Sequence, residues 1–197
     1  GSIRRPTRAP ESETPSPAKL SQTGAFTNLK TLEPAEGVFP YQVNHSAWNG
    51  GAASRRWFSL PGKEKIGYHR DGSWRFPTGT VWIQQLEEPA VGNNPPRRLE
   101  TRFLVKTETA VYGITYKWLE DQSDAVLVPE GGIPPEPRDN GRMTPGRSEC
   151  LMCHTAIAGY NLGMNTWQLN GPSLEDPSVN QLRSMIDRGL LDAKPDD

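Results

Sequence analysis

Two cysteines in 197 residues are too few for a disulfide framework and too few for a zinc site built from four cysteines. The chain has only three histidines, and His45 and His69 lack the spacing that would complete a two-cysteine, two-histidine finger. No run of apolar residues reaches the roughly 20 that a membrane helix needs. Charge of either sign is also missing as a theme. The net charge is −1, and no Lys/Arg-rich run follows the first few residues, so nucleic acid is not an expected partner. No secretory leader is present. Gly1-Ser2 reads as a cloning scar, which leaves the location open.

Glycine and proline, by contrast, are plentiful, at 19 each, while apolar residues make up a modest 34%. This balance favours a loop-rich fold of short strands over a helical bundle. Residues 1–19 have linker composition, rich in Pro, Ser, Thr and charge. Residues 20–197 are long enough for one domain with a real core.

Within that domain, Leu20–Phe26 can form one helical turn. Short strands are expected at Arg55–Leu60, Glu64–His69, Gly79–Leu86, Leu99–Lys106, Ala110–Trp118 and Asp124–Val128, from period-two segments rich in β-branched and aromatic residues. Leu99, Thr101, Phe103 and Val105 share one face, as do Tyr112, Ile114, Tyr116 and Trp118. A loop over 129–147 follows. Ser148 then caps a helix expected to carry Cys150 to Ala158, and Asp176-Pro177 opens a last helix that Gly189 ends. The expected class is α+β, mainly β: an antiparallel sheet with short C-terminal helices, the sheet packing on the prosthetic group that the following motif points to.

The haem enters through Cys150-Leu151-Met152-Cys153-His154. In a C-x-x-C-H sequence two thiols three residues apart can form thioethers to the two vinyl groups of a haem, and the adjacent histidine binds the iron. A thioredoxin-like dithiol would need a βαβ context, and the preceding sequence is β throughout. Cys150, Cys153 and His154 are therefore the expected anchors of one covalent haem c. The sixth ligand stays open. Met164 and His69 lead, His45 and Met143 follow, and an iron with no second protein ligand is the remaining case. Met152 lies inside the motif, and Met185 belongs to the apolar stripe of the last helix. Of the six tryptophans (48, 57, 74, 82, 118 and 167), most are expected in the core and some against the porphyrin. Arg55, Arg56, Arg97, Arg98 and Arg102 are candidates to pair with propionates.

The segments "PYQVNHSAWNGGAASRRWFSLP", "DGSWRFPTGTVWIQ", "RRLETRFLVKTETAVYGITYKWLEDQSDAVLV", "ECLMCHTAIAGYNLGMNTWQLNG" and "NQLRSMIDRGLL", taken in order, resemble a bacterial monohaem c-type cytochrome domain. The resemblance spans residues 20–191. That family occurs in secreted proteins, commonly joined to PQQ-dependent sugar-dehydrogenase domains or carbohydrate-binding modules. More distantly, the strands followed by a late C-x-x-C-H are similar to the β-sheet cytochromes that include the beta form of cytochrome c prime and the hydroxylamine-oxidising type. Some of those cross-link a lysine to the porphyrin from the strand that holds Gln84 and Gln85 here, and neither glutamine can make that bond. The nearer family tends to carry Lys-His at these two positions, which is a second departure.

The resemblance implies a periplasmic or secreted electron-transfer module with a redox partner protein or fused domain, such as a PQQ-dependent sugar dehydrogenase. A haem enzyme or gas-binding module with an open iron site is the alternative. A carbohydrate-binding module without haem, resting on exposed aromatics, is a third.

Overall fold

The computed structural model describes residues 16–46, 51–90, 92, 95–135 and 141–193. The expected linker up to residue 15 and Trp48 lie outside the described residues.

A six-stranded antiparallel meander forms the scaffold: β3 (Val38–Tyr41), β4 (Ala53–Ser59), β5 (Val81–Glu88), β6 (Arg97–Lys106), β7 (Val111–Trp118) and β8 (Ala125–Leu127), hydrogen-bonded in chain order. A separate two-stranded hairpin, β1 (Phe26–Asn28) with β2 (Glu33–Pro34), follows a 3-10 turn at Leu20–Gln22. The class is thus mainly antiparallel β with few short helices, as the period-two segments predict.

Alternation along the strands gives the sheet two apolar faces. On one face Trp57, Ile83, Phe103, Tyr116 and Trp118 pack with Leu20, Phe26 and Leu32 of the N-terminal segment. On the other, Phe58, Trp82, Leu104 and Val111 pack under the C-terminal segment, against Met164, Leu169, Leu182, Met185 and Leu191. A fully buried aromatic such as Phe58 or Trp82 contributes on the order of 1.5–3 kcal/mol relative to exposure. The second face matters most here, because it also carries a polar row. Register pairs Tyr41 with Arg56, Arg56 with Gln84, Gln84 with Arg102, and Arg102 with Thr115.

Three expectations need correction. Glu64–His69 is not a strand: only Ile66 and Gly67 bridge, to Leu191 and Arg75. Ile66 is the one buried residue of this segment, so it is tacked to the core at one point and has no ladder to extend. The helix at the motif is a single turn, α1 (Arg147–Cys150), capped at Gly146. It cannot run to Ala158, because the chain doubles back with Tyr160 N–H donating to the Thr155 carbonyl at 2.9 Å, and Gly159 and Tyr160 take positive φ. The last helix, α3 (Gln181–Asp187), is capped by Asn180, whose side chain accepts from Leu182 and Arg183 N–H. Asp176 instead accepts from Ser178 in the turn before it. Gly189 does end α3, at φ 71°, with Leu190 N–H reaching back to the Met185 carbonyl, a Schellman closure. A further one-turn helix, α2 (Thr166–Leu169), was not anticipated.

Candidate haem site

Where α1 and the loop after it cover the polar row, a cleft of about 350 Å³ opens to solvent. Its floor is Arg56, Gln84 and Arg102, with Trp82 and Leu104 beside them. One wall is the segment after β3, with Tyr41, Val43 and His45; the other carries Cys150, Cys153 and His154. The structure therefore brings all three motif residues to one cavity, of a size within the roughly 300–1,000 Å³ usual for ligand sites.

Each motif residue is positioned by the fold around it. Cys150 ends α1 and lies against β7 at Gly113. A Cβ at Gly113 would sit 2.5 Å from the Cys150 sulfur and 2.6 Å from its Cβ, so only glycine leaves room for the thiol there. The Cys150 Sγ–H donates to the Gly146 carbonyl at 3.3 Å. Burial pushes the Cys150 thiol pKa up, against a downward pull from Arg102. Cys153 follows in an exposed turn, and the two thiols are free.

His154 is oriented by the loop that ended the helix. Its Nδ1 lies 2.6 Å from the Tyr160 carbonyl oxygen. A carbonyl can only accept, so Nδ1 carries a proton, and in the neutral imidazole Nε2 is the nitrogen with the free lone pair. Tyr160 is held in turn: its hydroxyl donates to the Thr109 carbonyl at 2.7 Å, and Lys106 Nζ lies 5.0 Å over its ring. The β6–β7 hairpin thereby fixes the histidine's orientation.

The arginines divide. Arg55 stacks on Trp57 and donates to the Thr31 carbonyl, Arg97 pairs with Glu88, and Arg98 stacks on Trp118 and bonds the Leu29 carbonyl. Arg102 is in the cleft but pairs with the buried Glu100 at 2.7 Å. Arg56, partly buried there, has no hydrogen-bond or ion-pair partner among the described residues, and burial lowers its pKa while the Tyr41 phenol raises it. A half-buried guanidinium with no protein partner is available to an anion that enters the cleft.

The distal candidates are dispersed. Met164 is 1% exposed and its sulfur accepts the Trp82 indole N–H at 3.0 Å; Met164 does not line the cleft. His69 is exposed and also outside it. Met143 and Met152 are exposed, and Met185 is core, as the stripe reading held. Of these candidates the cleft holds only His45. Gln85 points to the opposite face, where its Oε1 accepts from Thr101 Oγ1 and Trp118 Nε1. The departure at Gln85 therefore does not alter the cleft, whereas Gln84, the other departing position, lies in its floor.

No family model, curated protein or solved structure matches the chain.

The cleft can be weighed against the chemistries open to a C-x-x-C-H. A dithiol oxidoreductase needs a thiol of depressed pKa, and the Cys150 shift is upward. No cluster of three or more His, Cys, Asp or Glu able to hold a metal ion is found among the described residues. A haem asks for only one protein donor at the motif, two thiols, an aromatic wall and a cation for a propionate. His154 Nε2, Cys150 with Cys153, Trp82 and Arg56 fit that list.

Sequence reasoning missed Tyr160 and Gly113. Tyr160 acts through its carbonyl, which leaves no mark in side-chain chemistry. Gly113 did carry a signal: an isolated glycine inside a strand pattern points to a close approach.

Proposed function

We propose that the chain is a monohaem c-type cytochrome module that carries electrons. The observation that carries this reading is the His154 Nδ1–Tyr160 carbonyl pair, which presents a bare Nε2 beside Cys150 and Cys153 in an open cleft. A metal-binding histidine characteristically gives its second nitrogen to a carbonyl in this way.

Cys150 and Cys153 would hold the porphyrin by thioethers, each S–H adding across one vinyl double bond. His154 would bind the iron, and Arg56 would receive a propionate. When bound, the haem supplies reversible one-electron transfer at its iron. The protein residues would hold and orient it, and Trp82, Leu104 and Val43, which line the cleft, would exclude water from it. The pairing of Tyr160 with the β6–β7 hairpin keeps the imidazole fixed, so His154 would be a stiff ligand. The resemblance noted above supports a periplasmic or secreted setting and a quinoprotein sugar dehydrogenase as electron donor.

Expression with cytochrome c maturation factors tests the first step. A red protein with one haem per chain by pyridine haemochrome is expected, and a Cys150→Ala, Cys153→Ala double variant should lose it. A colourless wild-type chain sinks the reading. Stopped-flow mixing of the oxidised protein with a reduced PQQ-dependent sugar dehydrogenase tests the second step: haem reduction is expected, and its absence removes that class of partner.

A further inference from the structure

We propose that His45 supplies the second protein ligand to the haem iron, giving bis-histidine ligation. The inference rests on the haem reading above.

The first argument is a survey of donors. Iron in such a site takes nitrogen or sulfur, and the cleft walls contain no methionine. The Tyr41 phenol lines the cleft, but burial raises its pKa to about 12, which keeps it protonated and a poor ligand. The Glu149 carboxylate accepts the Gly146 N–H at 2.9 Å. Apart from His154, His45 is the one imidazole in the cleft, and its ring has no hydrogen-bond partner among the described residues.

The second argument is the clamp on its backbone. Gln168 grips both main-chain groups of His45: Oε1 accepts the N–H at 2.9 Å and Nε2 donates to the carbonyl at 3.1 Å. Asn44 N–H donates to the Gln168 carbonyl at 2.8 Å. The Asn44 side chain donates to the Trp167 and Asn170 carbonyls at 2.7 and 3.1 Å. Five bonds thus fix two consecutive residues that are otherwise exposed. Supporting groups of this kind are what hold a ligand within the tolerance a site requires. The clamp also gives "NLGMNTWQLN" a role: α2 positions a ligand carried by another segment, while Met164 secures α2 to Trp82 from below.

The test uses the haem-loaded protein and spectroscopy, not electron-transfer activity. Wild-type ferric protein should give a low-spin EPR spectrum without the far-red charge-transfer band of a methionine–iron bond, and the ferrous form should not bind CO on mixing. His45→Ala should convert the ferric iron to high spin, open the ferrous iron to CO, and recover low spin when imidazole is added. His45→Met should gain the methionine band, which keeps the question decidable if the alanine variant folds poorly. A high-spin wild type, a methionine band in the wild type, or a His45→Ala protein that stays low-spin overturns the assignment. A chain that takes up no haem is a different result and overturns the parent reading.

Discussion

Gly113→Ala is the most demanding test of how the motif is seated. The added Cβ would come within 2.5 Å of the Cys150 sulfur and 2.6 Å of its Cβ, distances that no real pair of such atoms tolerates. Two stiff elements meet there, strand β7 and the last residue of α1, so neither side yields as a flexible side-chain tip would. Overpacking of this kind costs typically about 1–3 kcal/mol. Against it stands the general gain of replacing glycine by alanine inside a strand, roughly 0.5–1 kcal/mol. The expected net is a loss of about 0–2.5 kcal/mol, centred on ~1 kcal/mol, read as a lowered urea midpoint with an unchanged slope. Gly131→Ala is the control. Gly131 has open space around its Cβ direction and no positive φ, so alanine there should be neutral or stabilise by up to about 1 kcal/mol. Because the displaced residue is a haem anchor, haem per chain should also fall in Gly113→Ala and not in Gly131→Ala. Equal midpoints and equal haem loading for the two variants would refute the close packing of Cys150 on β7.

Met164→Leu conserves volume but leaves the buried Trp82 indole N–H without its acceptor, and should cost about 1–3 kcal/mol by thermal denaturation, with the iron's spin state unchanged. Asn180→Ala removes the acceptor for the first N–H groups of α3 and should cost about 1 kcal/mol in urea unfolding. Stability should also fall between pH 10 and 12. The buried Tyr41 phenol has its pKa raised from 10.0 to about 12, so the unfolded chain releases this proton first and each unit of pH favours unfolding. The full effect is on the order of 2–3 kcal/mol, present below pH 10 and gone above 12. Tyr41→Phe should make that part of a stability-against-pH curve less steep, the Tyr116 phenol, also raised by burial to about 12, supplying the remainder, with the unfolding midpoint as the measurement.

The sheet was legible because its strands state their faces residue by residue. Phe103 and Ile114 alternate with Arg102 and Thr115, and the structure pairs them in that register. The motif was legible because its residues are adjacent in sequence. Its surroundings were not. The loop that turns at Tyr160 looked helical, since nothing in "HTAIAGY" announces a left-handed tyrosine. Met164 drew attention by its spacing from His154, but spacing along a chain says nothing about Trp82, 82 residues away. His45 was overshadowed for the same reason: the Gln168 side chain that fixes it lies 123 residues on. Asn180 was passed over because Asp176-Pro177 offers a stronger local cap signal, and the hydrogen bond that decided the helix start formed four residues later.

These long separations also set an order of events. Cys150, Cys153 and His154 form one local unit, whereas the opposite wall is held by bonds to α2 and α3 that span 123 residues at His45 and 139 at Gln42. Contacts of such separation carry the largest loop-closure cost and close late. The meander must therefore be in place before the two walls meet. The seam between residues 42–45 and α2 is then the first part of the cleft to open in native-state hydrogen exchange. Amides of β5 and β6, paired on both sides, should exchange last.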